Sequence, residues 1–201
     1  MSDEMTDLLK GYQRFKQKYY VESSLYETLV KEGQQPKILV ITCCDSRVDP
    51  AILLDAKPGE LFVVRNVANL VPPCDESPRH HSTSAAIEFA VLTLGVSDII
   101  LLGHSHCGGI KALMENKSEA HNTAFIGPWM AIAKAAKQNV LKQHPQNSLD
   151  EQAHYCEKES LRISLANLKS FPWIQKRLND NTLNLHAWHF DLSTGDIEIV
   201  K

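Results

Sequence analysis

Two short stretches of this 201-residue chain put thiols, an imidazole and a carboxylate within reach of one another. The first is Cys43-Cys44-Asp45-Ser46-Arg47. In an extended segment side chains alternate, so Cys43, Asp45 and Arg47 share a face and gather a thiolate, a carboxylate and a guanidinium. The second is Gly103-His104-Ser105-His106-Cys107-Gly108-Gly109, with imidazole and thiol three residues apart. Cysteine and histidine are the ligands zinc prefers. Each stretch alone is ambiguous: the first also reads as a buried thiol beside a surface ion pair, and an isolated His-x-x-Cys often holds nothing. Together Cys43, His104 and Cys107 make three ligands. A structural zinc fills its fourth position with protein, whereas a catalytic zinc keeps it for water, so a three-ligand count points to catalysis. Cys44 faces the wrong way for a fourth ligand. His106, beside Cys107, is the alternative ligand that spacing leaves open.

These residues need elements to position them. Before Gly33, Leu8, Leu9, Tyr12, Phe15, Tyr19, Leu25, Leu29 and Val30 recur at three- and four-residue spacing, which predicts two helices. Residues 37–42, 61–65 and 98–103 are short apolar runs suited to strands buried on both faces. Residues 83–94 predict a helix capped by Gly95, 125–142 a long helix, 149–170 another, and Pro172 opens a short one. Residues 183–190 alternate as a strand, and Ser193 to Asp196 turn them into a final strand, an antiparallel hairpin. The expected architecture is α/β, a mostly parallel central sheet flanked by helices, in one domain over 1–201 with a helical arm at 1–32. Ligands in open sheets of this kind bind outside the carboxyl ends of the strands, where both motifs fall.

Composition excludes several classes. Hydrophobic residues at 43%, charged residues at 22% and a net charge of −3 describe an ordinary folded protein with no basic stripe for nucleic acid. The apolar runs are too short to span a membrane, and the acidic N-terminus lacks the pattern of a secretory signal. A cytoplasmic location is the expectation, and the odd number of cysteines reads as thiols or metal ligands rather than a disulfide framework. His80-His81 is either a proton shuttle or a solvated loop pair, with Cys74 and Cys156 unreactive and Trp129, Trp173 and Trp188 spaced as core or interface residues.

Cys-x-Asp-x-Arg followed some sixty residues later by His-x-x-Cys-Gly-Gly resembles the signature of the β-carbonic anhydrases. The likeness extends through Gly33 to Lys37, Pro58 to Asn69, Ser84 to Glu88 and Cys156 to Glu159. The run from Val63 to Pro73 is most similar to the branch of plant and many bacterial enzymes. The resemblance implies one zinc per subunit on Cys43, His104 and Cys107, and reversible hydration of carbon dioxide to bicarbonate. It assigns Asp45, paired with Arg47, to orienting the attacking hydroxide. It assigns Gln34, Phe62, Val67, Phe89 and Gly108 to the substrate pocket, Gln34 reaching across a dimer interface embraced by the N-terminal helices. A homodimer or higher even oligomer follows from it. Phe89 replaces the tyrosine of plant members, and Val40 stands where some members carry the tryptophan of an inhibitory bicarbonate site, so no such site is expected. Two thiolate ligands imply a weaker Lewis acid than three imidazoles and activity favoured by mildly alkaline pH. The rival readings are a carbon disulfide or carbonyl sulfide hydrolase on the same fold and a zinc-stabilised scaffold without catalysis.

Overall fold

A computed structural model describes residues 2–75, 81–116 and 124–201. The chain divides into two units, Met1–Gln35 and Pro36–Lys201. In the first, helix α1 (Asp3–Lys16) begins at Ser2, whose hydroxyl accepts the Met5 amide, with Asp3 and Glu4 in the first turn to suit the helix dipole. A wide turn (Gln17–Val21) leads to α2 (Leu25–Glu32), ended by Gly33 at φ +73°. The rings of Phe15, Tyr19, Tyr20 and Tyr26 pack together here, with Tyr20 and Tyr26 stacked 4.6 Å apart.

The second unit is built on strands β1 (Ile38–Cys43), β2 (Leu61–Asn66), β3 (Asp98–His104), β4 (Asn184–Phe190) and β5 (Ile197–Ile199). Their order is β2-β1-β3-β4-β5, parallel except for the β4–β5 hairpin. Alternation along β1 explains why both faces are apolar. Leu39 and Ile41 join Ile87 of α4 (Ser82–Glu88) and Leu161 and Leu168 of α8 (Leu149–Leu168) on one side. Val40 joins Val48, Ile100 and Leu102 on the other, near α3 (Pro50–Leu53). A third apolar cluster lies beyond the carboxyl end of the sheet. It unites Cys43, Ala68 and Cys107 with residues of α5 (Gly108–Met114), α6 (Ile126–Met130), α7 (Lys134–Gln143) and α8.

The predicted mostly parallel sheet, flanking helices and antiparallel hairpin are present, with two local departures. The expected helix over 125–142 is two helices joined by a tight turn, Ala131–Ala133. Each half serves a different neighbour: Trp129 of α6 donates to the Val67 carbonyl, whereas Ala136 and Val140 of α7 are buried alongside α8. The helix expected over 83–94 becomes a wide turn at Phe89–Thr93, closed by the Leu94 amide on the Phe89 carbonyl. Helix α9 (Pro172–Asn179) opens at Pro172 as predicted. Among the described residues no helix is long and apolar enough to cross a membrane.

The amino end of the sheet, opposite the chemistry, carries a titratable lock. Asp98 accepts from Ser97 Oγ at 2.7 Å, His186 Nε2 at 2.9 Å and Asn184 Nδ2 at 3.1 Å, tying β3 to β4. His186 first, then Ser97, holds this carboxyl below the usual carboxylate range. A depressed carboxyl stabilises the fold above its unfolded pKa of about 4 and loses that contribution as pH falls through the folded value. Asp98→Asn should therefore lower stability by about 1 kcal/mol near pH 6, and the difference should close below about pH 4, as read from urea midpoints of the two proteins.

Candidate metal centre

The strand order places a switch point between β1 and β3, because the chain leaves β1 toward β2 and leaves β3 toward β4. Cys43 is the last residue of β1 and His104 the last of β3. Three residues on, Cys107 caps the start of α5. The two sulfurs and a ring nitrogen of His104 lie within 4.8 Å of one another, and all three residues are buried.

His104 carries the decisive detail. Its Nδ1 meets the Ser105 carbonyl at 2.8 Å, which makes Nδ1 the protonated nitrogen and leaves the Nε2 lone pair free. Nε2 is fully buried and has no hydrogen-bond partner among the described residues. An imidazole nitrogen left this way costs about 1–3 kcal/mol, and an ion between it and two thiolates removes that cost. The donor set, two sulfurs and one imidazole, fits zinc. Metal-ligating side chains among the described residues close around this point as three and not four.

One of the two thiols, Cys43, is already biased toward ligation. Cys43 is held well below the ordinary thiol range by the Cys107 thiol, with help from His104 and from the amides of Asp45 and Ala68. Cys107 is pushed up by the same contact and by burial, although the first-turn amides of Gly109 and Ile110 favour its thiolate. The two sulfurs thus share one proton, which a divalent cation would displace. His104 is raised: burial opposes its charge, but Cys43 and the Ser105 carbonyl outweigh it.

Asp45 and Arg47 come together, though not on an extended segment. The Arg47 amide donates to Asp45 Oδ1 at 3.0 Å and the Val48 amide to the Asp45 carbonyl at 3.1 Å, closing a turn. Arg47 then grips the carboxylate with Nε on Oδ1 at 2.9 Å and Nη2 on Oδ2 at 2.7 Å, and Nη2 also reaches the His106 carbonyl at 3.2 Å. This fork holds Asp45 far below the usual carboxylate range. His106 adopts φ +56°, and its exposed ring lies 3.5 Å from Ser193 Oγ, outside the ligand cluster.

Of the residues assigned to the substrate pocket, Phe62 and Phe89 meet ring to ring at 6.0 Å. Val67 lines a cleft of about 480 Å³ with Cys44, Asn66, Thr83, Phe125 and Trp129. Gly108 has open space where a Cβ would stand. Gln34 is exposed in the N-terminal unit. Val40 is fully buried beside Ile100. His81 is half-buried, and His80 lies outside the described residues. Cys156 is buried and its thiol pushed up to about 12, chiefly by desolvation. Trp173 and Trp188 pack against the sheet's two apolar clusters.

Three residues that shape the centre carried no individual signal in the sequence. Arg65 clamps the ligand loop, donating to the carbonyls of Cys43 at 3.1 Å and Asp45 at 2.8 Å and to Asp49 at 3.1 Å. Asn66 bonds both the amide and the carbonyl of Leu70 at 2.9 Å, bracing a turn in which Ala68 and Asn69 take positive φ. Glu157, buried in α8, accepts the Cys107 amide at 3.1 Å. All three fall in segments that carry the family likeness, and a charged side chain at the end of an apolar strand or inside a helix stripe was a further hint of Arg65 and Glu157. Gly109 must be glycine, because a Cβ there would stand 2.9 Å from Val67 Cγ1 and 3.2 Å from Ala68 Cβ.

An α/β sheet with a Cys-His-Cys cluster at its switch point has a donor set that could hold a transition metal. Comparison with known proteins narrows the class. A family model described as carbonic anhydrase matches residues 38–197. Beta carbonic anhydrase 3 of Arabidopsis thaliana is 38% identical over 200 residues, covering 98% of this chain and 77% of that protein. Beta carbonic anhydrase 5, chloroplastic, of the same plant is 38% identical over 190 residues, 94% of this chain but 62% of its own length. Among solved structures, the β-carbonic anhydrase CcaA matches with a TM-score of 0.91 and 32% identity over 98% of this chain and 88% of its own. CafA of Aspergillus fumigatus matches at 0.84 and 28%, over 99% and 91%. The chain belongs to the β-carbonic anhydrase family.

Replacing Cys43 by Ser or His104 by Ala is expected to lower bound zinc at least about tenfold, while Cys44→Ser leaves it unchanged, as measured by emission spectrometry of dialysed protein. In the native protein at about pH 8, Cys44 should react with a thiol reagent and Cys156 should not, read by mass spectrometry of the peptides.

Proposed function

We propose that this chain hydrates carbon dioxide reversibly to bicarbonate and a proton, with one zinc held by Cys43, His104 and Cys107. The observation that carries the reading is the free, buried Nε2 of His104 facing two thiols, in a chain of this family. Zinc at such a site lowers the pKa of water from 15.7 toward about 7 and so supplies a hydroxide nucleophile near neutral pH.

The protein's own contribution is orientation. Asp45 Oδ2 receives one hydrogen bond, from Arg47 Nη2, and keeps acceptor capacity for the O–H of the attacking oxygen. That hydrogen bond fixes the direction of the remaining lone pair toward the substrate carbon. Arg47 keeps the carboxylate ionised and, through its fork, engaged outside the Cys-His-Cys cluster, so that Asp45 would not compete as a ligand for a metal held there. Phe62, Val67 and Phe89 supply apolar walls suited to an uncharged linear gas. The Gly108 position lets substrate approach the backbone. Gln34 donates to bicarbonate from a neighbouring subunit.

Assembly as a homodimer or higher even oligomer suits the apolar side chains left exposed on a single chain: Val63, Phe89 and Leu92 near the β2 edge, and Leu8, Tyr12 and Val30 on the N-terminal helices. A solved relative from Sordaria macrospora, 26% identical, comes from a description of two tetrameric β-carbonic anhydrases. The five cysteines are all free, which fits a reducing compartment such as the cytoplasm, although relatives include chloroplastic and mitochondrial proteins.

Stopped-flow hydration of carbon dioxide by the zinc-loaded protein tests the reading. Asp45→Ala is expected to keep its zinc and lose at least about a hundredfold in kcat, and Arg47→Ala to lose less. Full activity in Asp45→Ala removes Asp45 from the mechanism. Turnover of carbon disulfide or carbonyl sulfide without carbon dioxide hydration would make the chain a hydrolase, and no turnover of any of the three would make it a scaffold.

A further inference from the structure

A second set of metal-competent side chains, sharing no ligand with the Cys-His-Cys centre, converges beside it. A ring nitrogen of His154, a carboxylate oxygen of Glu157 and a ring nitrogen of His189 lie within 4.8 Å of one another. His154 and Glu157 stand three residues apart on α8 and so on one face, and His189 arrives from β4. Glu157 and His189 are 4% and 2% exposed, whereas the His154 side chain is 41% exposed.

The spacing suits a shared ion better than a hydrogen-bonded trio. Glu157 Oε2 is 3.4 Å from His154 Nδ1 and 3.2 Å from His189 Nε2. Nitrogen-to-oxygen hydrogen bonds run from about 2.7 to 3.2 Å, so one contact is beyond that range and the other at its limit. Ligands bonded to zinc at about 2.0–2.1 Å in a tetrahedron stand about 3.3 Å apart, which both contacts match. The two imidazoles do not stack. Their planes cross at 86° with centroids 5.3 Å apart, and each turns a nitrogen to the same oxygen. Two imidazoles and a carboxylate are a common zinc donor set.

The group is also reachable. His154 and Glu157 line a cleft of about 210 Å³ together with Cys107, His106, Lys111, Asp150 and Asp191. Lys111 is paired with Asp150 at 3.1 Å, which removes the one lysine in this lining as a competing charge. We propose that His154, Glu157 and His189 form a second binding site for a divalent transition metal of the zinc class, separate from the Cys-His-Cys centre, with solvent from this cleft in the fourth position. Glu157 touches both sites, since its Oε1 accepts the amide of the ligand Cys107.

The test titrates cobalt(II) into untagged, zinc-loaded protein, following visible absorption and the heat of binding. One further equivalent should bind and give ligand-field bands without the near-ultraviolet charge transfer that thiolate ligands produce. His154→Ala and His189→Gln should each weaken that equivalent more than about tenfold and leave the zinc already bound unchanged. His154 is a partly exposed helix residue, so its variant decides the matter should the buried His189 variant fail to fold. The proposal is overturned if no further equivalent binds, if one binds and neither variant weakens it, or if thiolate charge transfer shows that cobalt has only replaced the zinc. Because the thiolate signature separates the two sites, a missing Cys-His-Cys metal would be recognised as a failure of the proposed function and not of this site.

Discussion

A lone pair with nothing to bind governs this structure. His104 is pinned by the Ser105 carbonyl so that its other nitrogen points into an apolar cluster beside two sulfurs, and no described protein group answers it. A fold does not bury an unpaired imidazole nitrogen without compensation, and two neighbouring thiols that share a proton are an equally incomplete arrangement. One divalent ion satisfies all three groups together. The rest of the second unit can be understood as the scaffold that holds them in register.

Parallel pairing places the ends of β1 and β3 side by side at the switch point, and the ladder fixes their register before any side chain acts, Thr42 opposite Leu102. The Thr42 hydroxyl reinforces it by donating to the Leu102 carbonyl at 2.9 Å. Beyond the ladder the chain must turn tightly, and it does so at a cost. Ala68, Asn69 and His106 each take left-handed conformations, which disfavour residues with a Cβ by about 1–2 kcal/mol. Arg65, Asn66 and Glu157 offset that cost with hydrogen bonds to backbone groups that would otherwise be stranded. Strain beside a site, held by such a network, positions the ligand loops.

Much of this was legible in the sequence because it depends on local pattern. Short continuous apolar runs locate β1, β2 and β3 within a residue, and the ligand types and spacing single out Cys43, His104 and Cys107. The gap is in whatever depends on approach from a distant element. Periodicity continued a helix through residues 131–133 because the residues there are mostly alanine, which suits either a tight or an ordinary turn. Arg65 looked like a strand end and Glu157 like a polar position in a helix, since their partners lie 22 and 50 residues away. An extended reading of residues 43–47 missed that the Asp45 carboxylate closes its own turn, yet that turn is what brings the Arg47 fork into place.

The coordination sphere itself is the most direct test of this picture. Zinc-edge X-ray absorption of the purified, zinc-loaded protein, at one equivalent of metal per chain, should show two sulfurs at about 2.3 Å and two nitrogen or oxygen neighbours at about 2.0–2.1 Å, one of them exchangeable with an added anion. A sphere lacking sulfur, or one closed by four protein ligands that no anion displaces, would contradict it.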